Sequence, residues 1–210
     1  MKMFWERTLD YIDYDFNSPD DTRIFVPFGE LIAQGTWTGV FSLSTFIQNE
    51  YNLTENMVLV ISFDSLKKEI LKSVIPDLKI KSVDLSVQNS LSVILEELQN
   101  VFGVSFFFCE RLDKLKGIST NHHFKAEAIA GKFISNSEMF HSSKNDFSLK
   151  KELLKKCAHE EYNVKALAFV YLRDSFAISR SIGGTDLDFH QNQLVLRNGK
   201  IYCIDPFLRY

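Results

Sequence analysis

Short apolar runs dominate the first half of the chain. "RIFVPFGELIAQ", "TGVFSLSTFI" and "NMVLVISF" are each rich in β-branched or aromatic residues and bounded by Gly, Asn or Thr, a pattern that predicts an antiparallel sheet. Then the period changes. In "DSLKKEILKSVI" the apolar residues Leu66, Ile70 and Val74 recur at helical spacing, with Asp64 or Ser65 as the cap. "IKSVDLSV" reads as a strand and "VSFFFCERL" as a buried strand. "SLSVILEELQNVFG" between them fits either a helix or a helix-strand boundary. Residues 112 to 148 are polar and rich in Lys, Ser, Asn and His, which marks a lobe boundary. Within them "HHFKAEAIAGKFI" adds a short helix. Two helices follow, "SLKKELLKKCAHEEYN" and "VKALAFVYLRDSFAISRS", the second with Leu167, Val170, Tyr171, Asp174 and Ile178 along one side and Gly183-Gly184 as its stop. The chain closes with strand "QLVL", turn "RNGK" and strand "IYCI", and the Asn198-Gly199 pair is a strong hairpin signal.

A chain of 210 residues forms one domain of two lobes rather than two independent domains. The 45% hydrophobic content and 19 Phe exclude a disordered chain, and a net charge of -3 provides no field suited to nucleic acid. The acidic start lacks a secretory pattern, and no apolar run approaches the roughly 20 residues of a membrane helix. Cys109, Cys157 and Cys203 are odd in number and widely spaced, which predicts reduced thiols and a cytoplasmic location.

The chemistry concentrates in "DFHQNQLVLRNGKIYCIDPF", residues 188 to 207, where Asp188 and Asp205 stand at the open ends of one hairpin. Metal-assisted phosphoryl transfer needs two such carboxylates, one to orient the attacking hydroxyl and one to hold magnesium against the phosphates. The stretch resembles the catalytic loop and metal-binding Asp of protein-kinase-like phosphotransferases, in particular the early serine/threonine kinases of short-tailed phages. Asp188, Phe189 and His190 match the start of that pattern, Asn198-Gly199 its turn, and Asp205-Pro206-Phe207 its end. "AQGTWTGVFSL" resembles the glycine-rich loop, "MVLVISF" the third strand, "SLKKEIL" the first-lobe helix and "FFFCERLDKL" the strand and hinge between lobes.

The resemblance implies an α+β, two-lobed, protein-kinase-like fold. Residues 1–111 would form an N-terminal antiparallel sheet with one helix, and residues 112–210 a reduced helical C-lobe. It implies ATP and magnesium as cofactors, with Gly35, Trp37, Gly39 and Val40 on the nucleotide, Asp188 as the catalytic residue that orients the substrate hydroxyl, and Asp205 with Asn192 or Gln193 on the metal. His190 would serve as a structural residue of the catalytic loop. Several positions depart from the pattern. Val60 stands where the family's third strand carries its phosphate-gripping Lys, and the strand has no other Lys. Ala33 and Thr38 replace glycines whose absence of a side chain admits phosphate. Only five residues follow Asp205, too few for an activation segment and peptide-docking helices.

These departures predict a kinase-like protein with an impaired nucleotide site that acts by binding and regulating another protein, as an inhibitor, antitoxin or immunity-type partner. Two alternatives stand beside it. One is an active ATP- and magnesium-dependent protein phosphotransferase, with Lys67, Lys68 or Lys72 supplying the missing charge and Glu69 as partner. The other is an α+β interaction protein without a nucleotide site. "KKEILK" also reads as a solvated helix face, His122-His123 as a loop pair, and Cys157 with His159 as a chance pairing on a helix. The acidic, aromatic start "DYIDYDFNSPDD" reads as a solvated extension.

Overall fold

The computed structural model describes residues 28–35, 37–135, 146–182, 187–188, 194–204 and 207–208. The chain divides into two compact units, one of residues 1–68 and 77–111, the other of residues 69–76 and 112–210.

The first unit is built on five antiparallel strands, β1 (Phe28–Gln34), β2 (Thr38–Leu43), β3 (Met57–Ser62), β4 (Ile80–Ser82) and β5 (Ser105–Glu110). Their spatial order is β1-β2-β3-β5-β4. All six residues of β3 are buried, as an apolar central strand requires. Its alternate residues Met57, Leu59 and Ile61 join Phe41, Leu43 and Phe108 in the first core. Helix α1 (Thr45–Glu50) inserts Ile47 into that core, and α3 (Ser90–Phe102) adds Leu91, Ile94, Leu95 and Leu98. Helix α2 (Lys67–Val74) crosses the division, its residues from Glu69 onward grouping with the second unit.

Three local rules correct the sequence reading here. "STFI" continues no strand, because Ser44 accepts a hydrogen bond from the Ile47 amide at 3.3 Å and so starts α1. The strand expected from Ile80 stops at Ser82. Just beyond, Asp84 Oδ1 accepts from both the amide and the hydroxyl of Ser86 and turns the chain. The ambiguous stretch from Ser90 is wholly helical: Asn89 and Ser92 form a reciprocal capping box, and Gly103 ends the helix at φ 66. Among the described residues the first unit therefore holds α1 and α3, while the single helix expected, α2, is divided between the two units.

The second unit packs α4 (Thr120–Ser135), α5 (Asp146–Lys156) and α6 (Tyr162–Ile182) around Ala126, Ala130, Leu149, Leu153, Leu167, Ala168 and Tyr171. The short helix expected near His122 spans sixteen residues. Among the described residues the unit also has two small sheets. Strands β7 (Leu194–Arg197) and β8 (Lys200–Cys203) form a hairpin, and β6 (Leu187–Asp188) pairs with β9 (Phe207–Leu208). Asn198 and Gly199 take φ of 50 and 72, the left-handed pair that a two-residue hairpin turn demands. Among the described residues no helix is long and apolar enough to cross a membrane.

Candidate functional site

In the first unit the residues expected on the nucleotide occupy one hairpin. Ala33 pairs with Val40 and Gln34 with Gly39, and the Gly35 amide closes the turn onto the Thr38 carbonyl at 2.8 Å. Trp37 is exposed, with its ring edge-on to Phe63 at 6.4 Å. Gly35 has open space where a Cβ would stand, so no crowding within the hairpin requires a glycine there. The backbone thus brings Gly35, Trp37, Gly39 and Val40 together.

Val60 lies opposite Val40 on the next strand and is 5% exposed. Its neighbour on the same face, Ser62, is fully buried, and its hydroxyl is fully engaged. It donates to the Trp37 carbonyl at 3.2 Å, accepts from the Asp64 amide at 3.1 Å, and lies 2.9 Å from Thr38 Oγ1. Ser62 and Thr38 therefore stitch the end of β3 to the start of β2, and neither hydroxyl is left over for a phosphate. From Ser62 the chain turns into α2, where Asp64 Oδ1 accepts from the Leu66 amide at 2.9 Å. That hydrogen bond closes an Asx turn just ahead of the helix, which begins at Lys67.

The lysines of "KKEILK" do not share one environment. Lys67 is buried, at 6% exposure. Lys68 Nζ donates to Ser82 Oγ at 2.7 Å, while Glu69 and Lys72 are exposed. The solvated-face reading holds for Glu69 and Lys72 and fails for Lys67. Its amphipathic stem permits burial, but a buried ammonium is among the rarest features of a protein interior.

In the second unit, Asp188 stands in β6 with its backbone paired to Phe207. The expected metal residues Asn192, Gln193 and Asp205, with His190, lie outside the described residues. Asp205 falls in sequence between Cys203, the last residue of β8, and Phe207, the first of β9. The β6–β9 ladder and the β7–β8 hairpin therefore bring together the chain segments that flank the two acids. The Leu115 amide donates to the Leu194 carbonyl at 2.6 Å, and Lys114 bridges to Val195, tying β7 to the chain that enters the unit.

Sequence reasoning placed Asp174 on the apolar side of α6 without giving it a task. It is 1% exposed, and both its oxygens are occupied. Oδ1 accepts from Arg173 Nε at 2.6 Å; Oδ2 accepts from Arg173 Nη2 at 3.0 Å and from the Cys203 amide at 2.6 Å. An acid within an otherwise apolar helical stripe was the available signal, since such a group is buried only with partners.

His122 and His123 are helical, not a loop pair, and they diverge. His122 Nε2 lies 2.9 Å from Glu161 Oε2, and His123 Nδ1 lies 2.9 Å from the Tyr171 hydroxyl. Cys157 is fully buried, and burial pushes its thiol up, away from the thiolate a nucleophile needs. None of the three cysteines is in a disulfide, and all three are buried. Among the described residues no group of three or more His, Cys, Asp or Glu is placed to hold a metal ion. No family model matches the chain, and neither a curated protein nor a solved structure matches it.

Proposed function

We propose that this chain is a kinase-like protein with an impaired nucleotide site, and that it acts by binding and regulating another protein as an inhibitor, antitoxin or immunity-type partner. The observation that carries the reading is Val60. It occupies a fully buried central strand that contains no Lys, at the position where the resembled kinases grip phosphate. An apolar residue buried there contributes about 1.5–3 kcal/mol to the fold and nothing to an anion. The antiparallel sheet, the helix after its third strand, the helical second unit and the closing hairpin follow in the order that the resemblance implies. The side chains of Thr38 and Ser62 are committed to each other, which is consistent with a hairpin that has lost its phosphate contacts.

One observation favours the active alternative. Lys67 is withdrawn from solvent at the start of α2, so one of the three lysines able to replace the missing charge is placed unlike an ordinary surface lysine.

A thermal-shift titration with ATP, with and without magnesium, separates the two. Ligand at a hundred times its dissociation constant stabilises a fold by about 2.7 kcal/mol. The impaired-site reading expects no shift in either condition. A magnesium-dependent shift, together with phosphate transfer that disappears in Asp188→Ala and Asp205→Ala, would overturn it in favour of the phosphotransferase.

A further inference from the structure

The buried Asp174 of α6 and its neighbour Arg173 together contact three consecutive residues of β8. Asp174 Oδ2 takes the Cys203 amide at 2.6 Å. Arg173 Nη2 donates to the Ile201 carbonyl at 2.5 Å, and the Arg173 guanidinium lies over the Tyr202 ring at 4.7 Å from its centroid. Ile201 and Cys203 are two apart, so their backbone groups point to the same side of the strand. That side faces away from β7: Cys203 lies opposite Leu194, whose carbonyl is likewise turned outward to the Leu115 amide. One helix thus reads two backbone groups on the free edge of a two-stranded sheet.

A register slip of one residue would present the wrong groups to both side chains and turn Cys203, now 1% exposed in the second core, to the opposite face. Stability alone does not account for the arrangement. Desolvation dominates the Asp174 carboxyl and raises its pKa in spite of Arg173 and the Cys203 amide, so the ionised carboxylate is costly to bury even with the 40% exposed Arg173 side chain beside it.

We propose that Arg173 and Asp174 are a positioning pair that sets the register and path of β8 against α6, rather than a stabilising ion pair of the core.

The three buried thiols supply the test. Alkylation is followed residue by residue by mass spectrometry in the full chain, alongside the melting temperature. In the double variant Arg173→Met with Asp174→Leu, relief of the buried carboxylate offsets the lost partners of the Cys203 amide and the Ile201 carbonyl, so the melting temperature is expected to change little while Cys203 labelling accelerates roughly ten- to a hundredfold. Cys109 and Cys157 act as internal controls and stay at the wild-type rate. Arg173→Lys keeps the charge but loses the fork, and should raise Cys203 labelling by a smaller factor with little change in melting. A lowered melting temperature with all three thiols exposed together would make the pair a stability element and overturn the proposal. Unchanged Cys203 labelling in both variants would do the same.

Discussion

His123 and Tyr171 share a hydrogen bond in the second unit, and burial shifts the pKa of each. Burial, with the nearby Lys114 ammonium, lowers the pKa of His123 below its usual 6.5. Burial raises that of Tyr171, with the Cys203 thiol and Glu127 adding to the effect. A neutral imidazole is thus the native form. Between the depressed native value and 6.5 the unfolded chain binds more protons than the folded one, so stability rises with pH across that window. It is fully present above 6.5 and is lost as pH falls. Asp174 works in the opposite sense: its raised native value makes stability fall as pH rises from 3.8 toward that value. The His123 share of the stability should therefore climb as pH rises toward 6.5, against the Asp174 share, so His123→Gln should reduce the slope of denaturation midpoint against pH below 6.5. An unchanged slope in the variant would place its origin elsewhere.

At the scale of elements, the C-terminal hairpin and α6 were legible because their signals are local. Asn198-Gly199 names the turn by its backbone alone, and the apolar positions Leu167, Tyr171 and Ile178 fall on the buried side of the helix as their spacing requires. Elements decided by a single side-chain hydrogen bond were not legible. Ser44 and Asp84 are ordinary polar residues until their acceptors find an amide, and they convert an expected strand into α1 and shorten β4. The pairing of Asp174 with Cys203 spans 29 residues, beyond any periodicity. The candidate nucleotide residues Gly35, Trp37, Gly39 and Val40 were legible as a group for the same reason as the turn, since one hairpin carries them all. Substituting Gly199 by Ala tests how far turn chemistry sustains the hairpin. A side chain at φ 72 costs about 1–2 kcal/mol, with no neighbour to clash. Gly35→Ala, in open space and without a positive φ, should be nearly neutral in the same denaturant titration. Equal losses at the two positions would mean that contacts other than backbone strain set the cost.

For the whole molecule, the division into two units has an energetic counterpart in two separate hydrophobic clusters. The first is sealed by Leu91, Ile94, Leu95 and Leu98 of α3 against the sheet, the second by α4, α5 and α6 around Tyr171. Cavities act on the core that contains them, because close-packed neighbours relax only partly around missing atoms. Leu95→Ala, at a fully buried position, should destabilise the first unit by about 2–5 kcal/mol. Leu167→Ala should affect the second unit to a similar degree. Hydrogen exchange resolved by peptide distinguishes local from global opening. The Leu95 variant is expected to speed exchange in β3 and β5 while α6 and β8 keep their protection, and the Leu167 variant to do the converse. Uniform acceleration along the chain in either variant would show that the clusters melt as one cooperative body. Separate melting would mean that a ligand or protein partner contacting one unit stabilises that unit alone, so the peptides whose exchange slows on binding would reveal which half of the chain carries the binding surface.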